Sequence, residues 1–219
     1  MKIEYNFITL VALGSFNPAI VSPDFLNTVC ELNLGKPVDQ SPPDIPVIRH
    51  LQFQNLKFTV EMNRLQIMET GIEDITKAMV LSIFNVYYAK LPYTPLKAVG
   101  VNINCDLLAE METKTDALTK KVSNPTTYLD FFDTNKINVI ESSLQTKADK
   151  TWMSSNYNIE NVHGLTRSIN VTQKKDFLNI NYNYEAMVVD KHKSNLSLLV
   201  DGYEQFCDEF LNFVKYLED

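Results

Sequence analysis

Strict alternation of apolar and polar side chains is the feature that most limits how this chain can fold. From residue 99 to residue 107 the odd positions are apolar, and the even positions are glycine, amide or carboxylate. The odd set comprises Val99, Val101, Ile103, Cys105 and Leu107, and the even set comprises Gly100, Asn102, Asn104 and Asp106. Because successive side chains of a β-strand point to opposite faces of its sheet, this stretch predicts a strand buried on one face only.

The stretch from residue 177 to residue 189 repeats this pattern over a greater length. Its apolar positions are Leu178, Ile180, Tyr182, Tyr184, Ala186 and Val188, and its polar positions are Asn179, Asn181, Asn183 and Glu185. Further alternating segments predict strands at 3–13, 28–34, 137–147, 151–161 and 165–173. Residues 49–69 predict a hairpin with a bulge or bend at Gln54 and Asn55 and a tight turn at Asn63 and Arg64.

Two segments instead have apolar residues every three or four positions, which predicts amphipathic helices at about 72–90 and 195–217. Pro92 and Pro95 end the first, and Ser194 is a suitable N-cap for the second. The apolar stripe of the second helix consists of Leu196, Leu199, Val200, Tyr203, Phe206, Phe210, Phe213, Val214 and Leu217.

These elements together predict an α+β protein with two similar lobes, each an antiparallel sheet packed against one long amphipathic helix. The N-terminal lobe spans residues 1–108. A linker rich in charged residues and threonine follows at 109–127, with a short helical turn expected at 128–133. The C-terminal lobe spans residues 128–219 and contains the second sheet and the last helix.

A family resemblance accompanies this plan. A helix ending in "YYAKLPYTP" is followed by "KAVGVNINCDL", and a second β-rich half then closes in an acidic helix. This arrangement resembles a sporadically distributed family of uncharacterised two-lobed α+β bacterial proteins. The likeness covers most of the chain as a plan, and its specific part lies at about residues 84–105. The resemblance implies a fold and no activity.

Charge and hydropathy exclude several classes of partner. The 219 residues carry a net charge of −7, and a surface of this sign repels phosphate backbones, so no nucleic-acid partner is expected. No run approaches the ~20 apolar residues of a membrane span, so no membrane partner is expected. The apolar start of the chain contains Glu4 and alternates at Ile3, Tyr5 and Phe7, which favours a strand over a secretory leader. We therefore expect a cytoplasmic protein.

The sequence contains none of the motifs that mark phosphate-binding loops, nucleophile elbows or zinc sites. His50, His163 and His192 are isolated, and none has a histidine or cysteine at metal-ligand spacing. Cys30, Cys105 and Cys207 are far apart, and the last two lie on apolar stripes. We predict no catalytic, cofactor-binding or metal-binding residues. A triad of His50 with a cysteine and a carboxylate stays open, because triads assemble in space rather than in sequence.

Three functions remain after this search. The first is a non-enzymatic interaction or assembly protein, self-associating or part of a larger complex, with a protein partner or a second copy of itself. Trp152 is either a core residue or an anchor at such an interface. The second is a small-molecule binding protein with an apolar pocket between sheet and helix, lined by Tyr182, Tyr184 and Tyr203. The third is a hydrolase built from scattered histidine and cysteine residues.

Overall fold

The part of the chain that the structure describes folds into one sheet of ten strands with helices packed against it. A computed structural model describes residues 2–42, 47–108, 121, 124–134, 139–147, 150–158, 165–174, 177–188 and 194–218. The strands are β1 (Lys2–Gly14), β2 (Asp39–Gln40), β3 (Ile48–Gln52), β4 (Leu56–Glu61), β5 (Arg64–Glu69), β6 (Leu96–Leu108), β7 (Val139–Lys147), β8 (Lys150–Asn158), β9 (Leu165–Gln173) and β10 (Phe177–Met187).

The strand order across the sheet is β2-β3-β4-β5-β1-β6-β10-β9-β8-β7. All pairings are antiparallel. The two sides of the β1–β6 pair have the same plan. β1 is followed in the chain by the meander β2–β5 and pairs with its last strand, β5. β6 is followed by the meander β7–β10 and pairs with its last strand, β10. The two longest strands, of 13 residues each, therefore lie side by side at the centre.

Alternation divides the side chains between an inner face and an outer face of this sheet. The inner face holds the apolar positions, which are almost entirely buried. On β6 and β10 these are Val99, Val101, Ile103, Cys105, Leu107, Leu178, Ile180, Tyr182, Tyr184 and Ala186. The outer face holds the intervening positions, which on β5, β6, β9 and β10 are mostly partly exposed. Residues 99–107 and 178–186 therefore place their side chains as the alternation predicts.

Helices pack on the inner face. They are α1 (Val80–Lys90), α2 (Pro125–Thr134), α3 (Ser194–Asp201) and α4 (Tyr203–Glu218), with a π-helical turn at Phe25–Val29 and a 3-10 turn at Ile75–Lys77. Phe25 and Tyr87 meet edge to face at 6.0 Å between ring centroids, which joins the π-helical turn to α1. None of the helices in the described ranges has the length and apolar character needed to cross a membrane.

The predicted strand at 28–34 is wrong. Residues 28 and 29 belong to the π-helical turn, and Glu31 and Asn33 have φ of 57° and 53°, in the left-handed region that a strand does not use. The side chain of Asn27 fixes this loop, because its amide donates to the carbonyl of Gly35 at 2.7 Å and its oxygen accepts from Leu34 N at 2.6 Å. Side-chain bonds to the backbone thus replace the strand ladder here.

The first helix is shorter than predicted and the last is divided. Residues 72–79 form no α-helix; instead Asp74 caps the 3-10 turn by accepting from Thr76 N at 3.0 Å. The C-terminal segment breaks between α3 and α4 at Gly202, where glycine disfavours a continuous helix. In addition, α2 begins at Pro125, inside the predicted linker, while most of that linker lies outside the described residues.

The α+β class and the antiparallel sheet are confirmed. The predicted hairpin at 49–69 is a three-strand meander, because the chain reverses at Gln54 and Asn55 as well as at Met62 and Asn63. The strands predicted at 3–13, 137–147, 151–161, 165–173 and 177–189 are present as β1, β7, β8, β9 and β10, except that residues 137–138, 159–161 and 189 lie outside the described residues. All of these strands belong to one continuous sheet.

Replacing Gly14 with alanine is expected to lower the free energy of unfolding by about 1–3 kcal/mol, because an added methyl group must displace backbone. A Cβ at Gly14 would lie 2.2 Å from the carbonyl oxygen of Pro95. The matched control is Gly100→Ala on the outer face, where the nearest atoms are 3.4 Å away and the change should be within about 1 kcal/mol. Urea denaturation measures both, and equal effects would contradict the steric argument.

Candidate functional site

The residues proposed to line a pocket are packed into the core. Tyr182 is fully buried and stacks on Phe206 at 4.9 Å between centroids, and Tyr184 stacks on the same ring at 5.2 Å. Phe210 also packs against Tyr182, at 5.7 Å between ring centroids. The aromatic rings of α4 therefore fill the space between this helix and the sheet.

Tyr203 is also a core residue, 9% exposed. Its hydroxyl donates to the carbonyl of Ile75 at 3.0 Å, which ties the start of α4 to the 3-10 turn of the first half. Burial raises the pKa of the Tyr203 phenol well above its usual value. This side chain stays protonated and acts as a link between the halves. Trp152 lies on β8, where its backbone pairs with Gln145 and Thr172; its side chain is outside what the structure describes.

Arg167 and Glu209 form an ion pair beneath α4, and neither residue was predicted from the sequence as a site residue. Arg167 on β9 is 5% exposed, and its Nη1 lies 3.0 Å from a carboxylate oxygen of Glu209. The hydroxyl of Tyr182 donates to the other oxygen of Glu209. The guanidinium also lies 5.1 Å from the ring centre of Tyr184. The sequence does contain an indication of this pair. Arg167 stands at a position of the alternating pattern that Leu165 and Ile169 mark as buried, and a buried charge needs a partner of opposite charge.

The histidines and cysteines do not assemble a catalytic triad within the described residues. His50 lies on the outer face, where its Nδ1 is 3.1 Å from Thr59 Oγ1. Cys105 is on the inner face, and Cys207 is buried on α4. Burial raises the pKa of Cys105 to about 12 and that of Cys207 to about 11, so both thiols stay protonated at neutral pH. His163 and His192 lie outside the described residues.

A shallow open cleft of about 300 Å³ lies at the β2 end of the sheet. It is lined by Asp39, Gln40, Ser41, His50, Leu51, Gln52 and Lys57. The hydroxyl oxygen of Ser41 accepts from His50 N at 3.0 Å, so it is engaged with the backbone and not with the imidazole. Across the described ranges, no three histidine, cysteine or acidic side chains are grouped in a way that could hold a metal ion.

The outer face of the sheet carries a group of amide and hydroxyl side chains. Its central residues on β6, β9 and β10 are partly exposed and mostly carry amide or hydroxyl groups. They are Asn102, Asn104, Asp106, Thr166, Ser168, Asn170, Thr172, Asn179, Asn181, Asn183 and Glu185. At one end, Leu13, Ala98 and Met187 form an apolar row across β1, β6 and β10, in which Leu13 is 42% and Met187 43% exposed.

Amide side chains on this face bond to one another across strands. Asn104 accepts from the amide of Asn6 at 2.9 Å and from that of Asn179 at 3.1 Å. Its own amide donates to Asn179 at 3.3 Å and to Asn181 at 3.4 Å. Asn179 also donates to a carboxylate oxygen of Asp106 at 2.6 Å. We call these five residues the amide network. An asparagine can make such pairs with its own kind because it both donates and accepts.

A buried carboxylate, Glu69, supports the start of α1. It is 8% exposed at the end of β5, and its Oε2 accepts from Met79 N at 2.6 Å. Burial raises the pKa of Glu69 above its ordinary 4.5, while the bonds from the Met79 and Val80 amides act in the opposite direction. The carboxylate satisfies backbone donors that a helix start leaves unpaired.

Comparison of the sequence with models of known protein families gives no match, and comparison with curated proteins gives none either. The family resemblance at residues 84–105 therefore stays a prediction. The function is proposed from the geometry of this chain alone.

Replacing Glu209 with glutamine is expected to lower the free energy of unfolding by about 3 kcal/mol, since it leaves the buried Arg167 charge without its counter-ion. The control is Glu204→Gln on the solvent side of the same helix, with an expected change within about 0.5 kcal/mol. Chemical denaturation of both variants measures the difference. A loss at Glu209 no larger than at Glu204 would show that the ion pair contributes little.

Replacing Glu69 with glutamine is expected to change how stability depends on pH. Because the pKa is raised on folding, the native state binds more protons than the unfolded state above about pH 4.5, and stability falls as pH rises through the folded pKa. Glutamine keeps an oxygen acceptor for Met79 N and does not titrate. The difference between variant and parent should therefore shift in favour of the variant as pH rises above about 4.5, as measured by denaturation at several pH values.

Proposed function

We propose that this chain is a non-enzymatic interaction protein that works within a larger assembly and docks through the outer face of its sheet. The observation that supports the proposal is the contrast between the two faces. The inner face is filled by α1, α4 and their aromatic side chains, while the outer face of β5, β6, β9 and β10 is partly exposed. A wide face of mostly amide and hydroxyl groups, with exposed Leu13 and Met187 at its end, is a surface that another protein can cover.

The small-molecule alternative has less support. Tyr182, Tyr184 and Tyr203, the residues proposed for its pocket, contact Phe206, and each is at most 9% exposed. The open cleft near His50 is shallow and lined largely by polar residues. Binding pockets for drug-sized ligands are concave and mostly apolar, which neither location provides.

We further propose that the chain consists of two similar lobes joined along β1 and β6, with β6 as the first strand of the second lobe instead of the last strand of a lobe at 1–108. The strand order supports this division, since each half has a long first strand followed by a meander whose last strand returns beside it. Each half also ends in a helical segment, the first with α1 and the second with α3 and α4. The outer face of both lobes then forms one continuous docking surface.

The proposal is tested by the mass of the assembly that contains the chain. We expect light scattering and native mass spectrometry to give a mass above the 25.1 kDa of one chain. Met187→Lys, on the outer face, should dissociate the assembly because it places a charge in the apolar row. Leu211→Lys is the matched control, an exposed apolar residue on α4. A 25 kDa monomer under all conditions, or equal effects of the two variants, would contradict the proposal.

A further inference from the structure

We propose that the partner of the outer face is a second copy of this chain, bound face to face about a two-fold axis that runs parallel to the strands above the β1–β6 seam. This inference rests on the proposed function of the face and names its occupant. Two sheets packed face to face lie about 10 Å apart, and an axis parallel to the strands keeps the β1–β6 strands of the two copies aligned.

Charge directs two copies toward this face. The chain carries a net charge of −7, so most approaches between copies are repulsive. The solvent side of α4 contributes to this with the exposed residues Glu204 and Asp208. On the outer face of β1, β6, β9 and β10 the carboxylates are Glu4, Asp106 and Glu185. Glu4 lies opposite Asp106 and pairs with Lys2 at 2.6 Å, and Glu185 is six residue positions from Asp106 in register, with amides and hydroxyls between these two levels. This middle stretch of the outer face is therefore where two copies meet with the least repulsion.

The chemistry of the face suits an identical partner. A two-fold interface brings the same surface together with itself, so its groups must be able to pair with their own kind. Carboxylates and ammonium groups cannot do this, whereas asparagine can. The amide network already shows asparagine pairing with asparagine across strands, at 3.1 Å between Asn179 and Asn104. The partly exposed Asn183 and Asn170 offer the same chemistry to a second copy.

The size of the face matches a stable dimer. Five strands, β5, β1, β6, β10 and β9, spaced about 4.8 Å apart with about ten residues each, present roughly 800 Å². A standard protein interface buries about 800 Å² on each partner. Two copies could instead pair edge to edge through their outermost strands. At one edge this pairing is limited, because β2 has only two residues and offers little backbone for hydrogen bonds.

The proposed axis also places opposite charges near each other. Rotation about the seam lays β5 of one copy over β10 of the other, at the same level along the strands. Arg64 shares a row with Leu13, Ala98 and Met187, and Glu185 lies one row away on β10. Arg64 of each copy therefore comes close to Glu185 of the other, and the row of Leu13 meets its own equivalent.

Cross-linking tests the arrangement directly, because Cys30, Cys105 and Cys207 are buried and an introduced surface cysteine reports alone. With Leu13→Cys in the full chain, a short bismaleimide should convert most of the protein to a covalent dimer. Asn212→Cys, on the exposed side of α4, should stay monomeric under the same conditions. A dimer by light scattering that fails to cross-link at residue 13 would overturn the face-to-face arrangement and favour pairing at the β7 edge.

Charge variants give an independent readout. Arg64→Glu should raise the dimer dissociation constant at least about tenfold, and adding Glu185→Arg to the same chain should restore most of the affinity. Asn183→Asp should weaken the dimer, while Asn212→Asp should leave it unchanged; circular dichroism checks that all variants are folded. No rescue by the double variant would overturn the axis proposed here. An assembly held through the outer face by a different protein would overturn the second-copy inference and leave the proposed function standing, whereas a chain that is always a lone monomer would overturn both.

Discussion

The pairing of β1 with β6 is the interaction on which the rest of the structure depends. It runs from Lys2 opposite Leu108 to Gly14 opposite Leu96, with register shifts between Tyr5 and Phe7 and between Leu13 and Gly14. All contacts between the two halves of the sheet pass through this pair, since β5 lies outside β1 and β10 lies outside β6. A slip of one residue would turn Ile8, Leu10 and their partners to the outer face, so the buried apolar set fixes the register.

A second link joins the halves on the inner side of the sheet. Helix α4 belongs to the second half by sequence, yet Tyr203 bonds to Ile75 and Phe210 contacts Tyr5 at 6.4 Å between ring centroids. The core therefore continues beneath the seam and contains residues of both halves. The inner side of the sheet is thus committed to holding the fold together.

The sequence predicted the parts of the fold that depend on local period, and missed those that depend on distant contacts. Alternation assigned the side chains of 99–107 to their faces, because burial on one side imposes a period of two. The prediction of a strand at 28–34 was wrong because the Asn27 side chain forms hydrogen bonds with the backbone of Leu34 and Gly35. The alternation of apolar and polar residues does not reveal such bonds. The pairing of Arg167 with Glu209 requires α4 to be docked on β9, and its register is set by aromatic packing rather than by sequence spacing. Alternation predicts that Tyr182 and Tyr184 lie on the buried face. It does not predict that Phe206 and Phe210 fill the space around Tyr182.

The central position of β1 has a consequence for how the chain is made. β1 is synthesised before both of its neighbours and is an inner strand of the finished sheet, and its β5 side can be satisfied once residue 69 has been synthesised. Its other side stays open until residues 96–108 arrive to form β6. The open border of β1 thus passes to β6, which has no partner on its far side until β10, made after β7, β8 and β9, pairs with it. An unpaired strand border is a site of aggregation, so the sheet carries one exposed border for most of its synthesis.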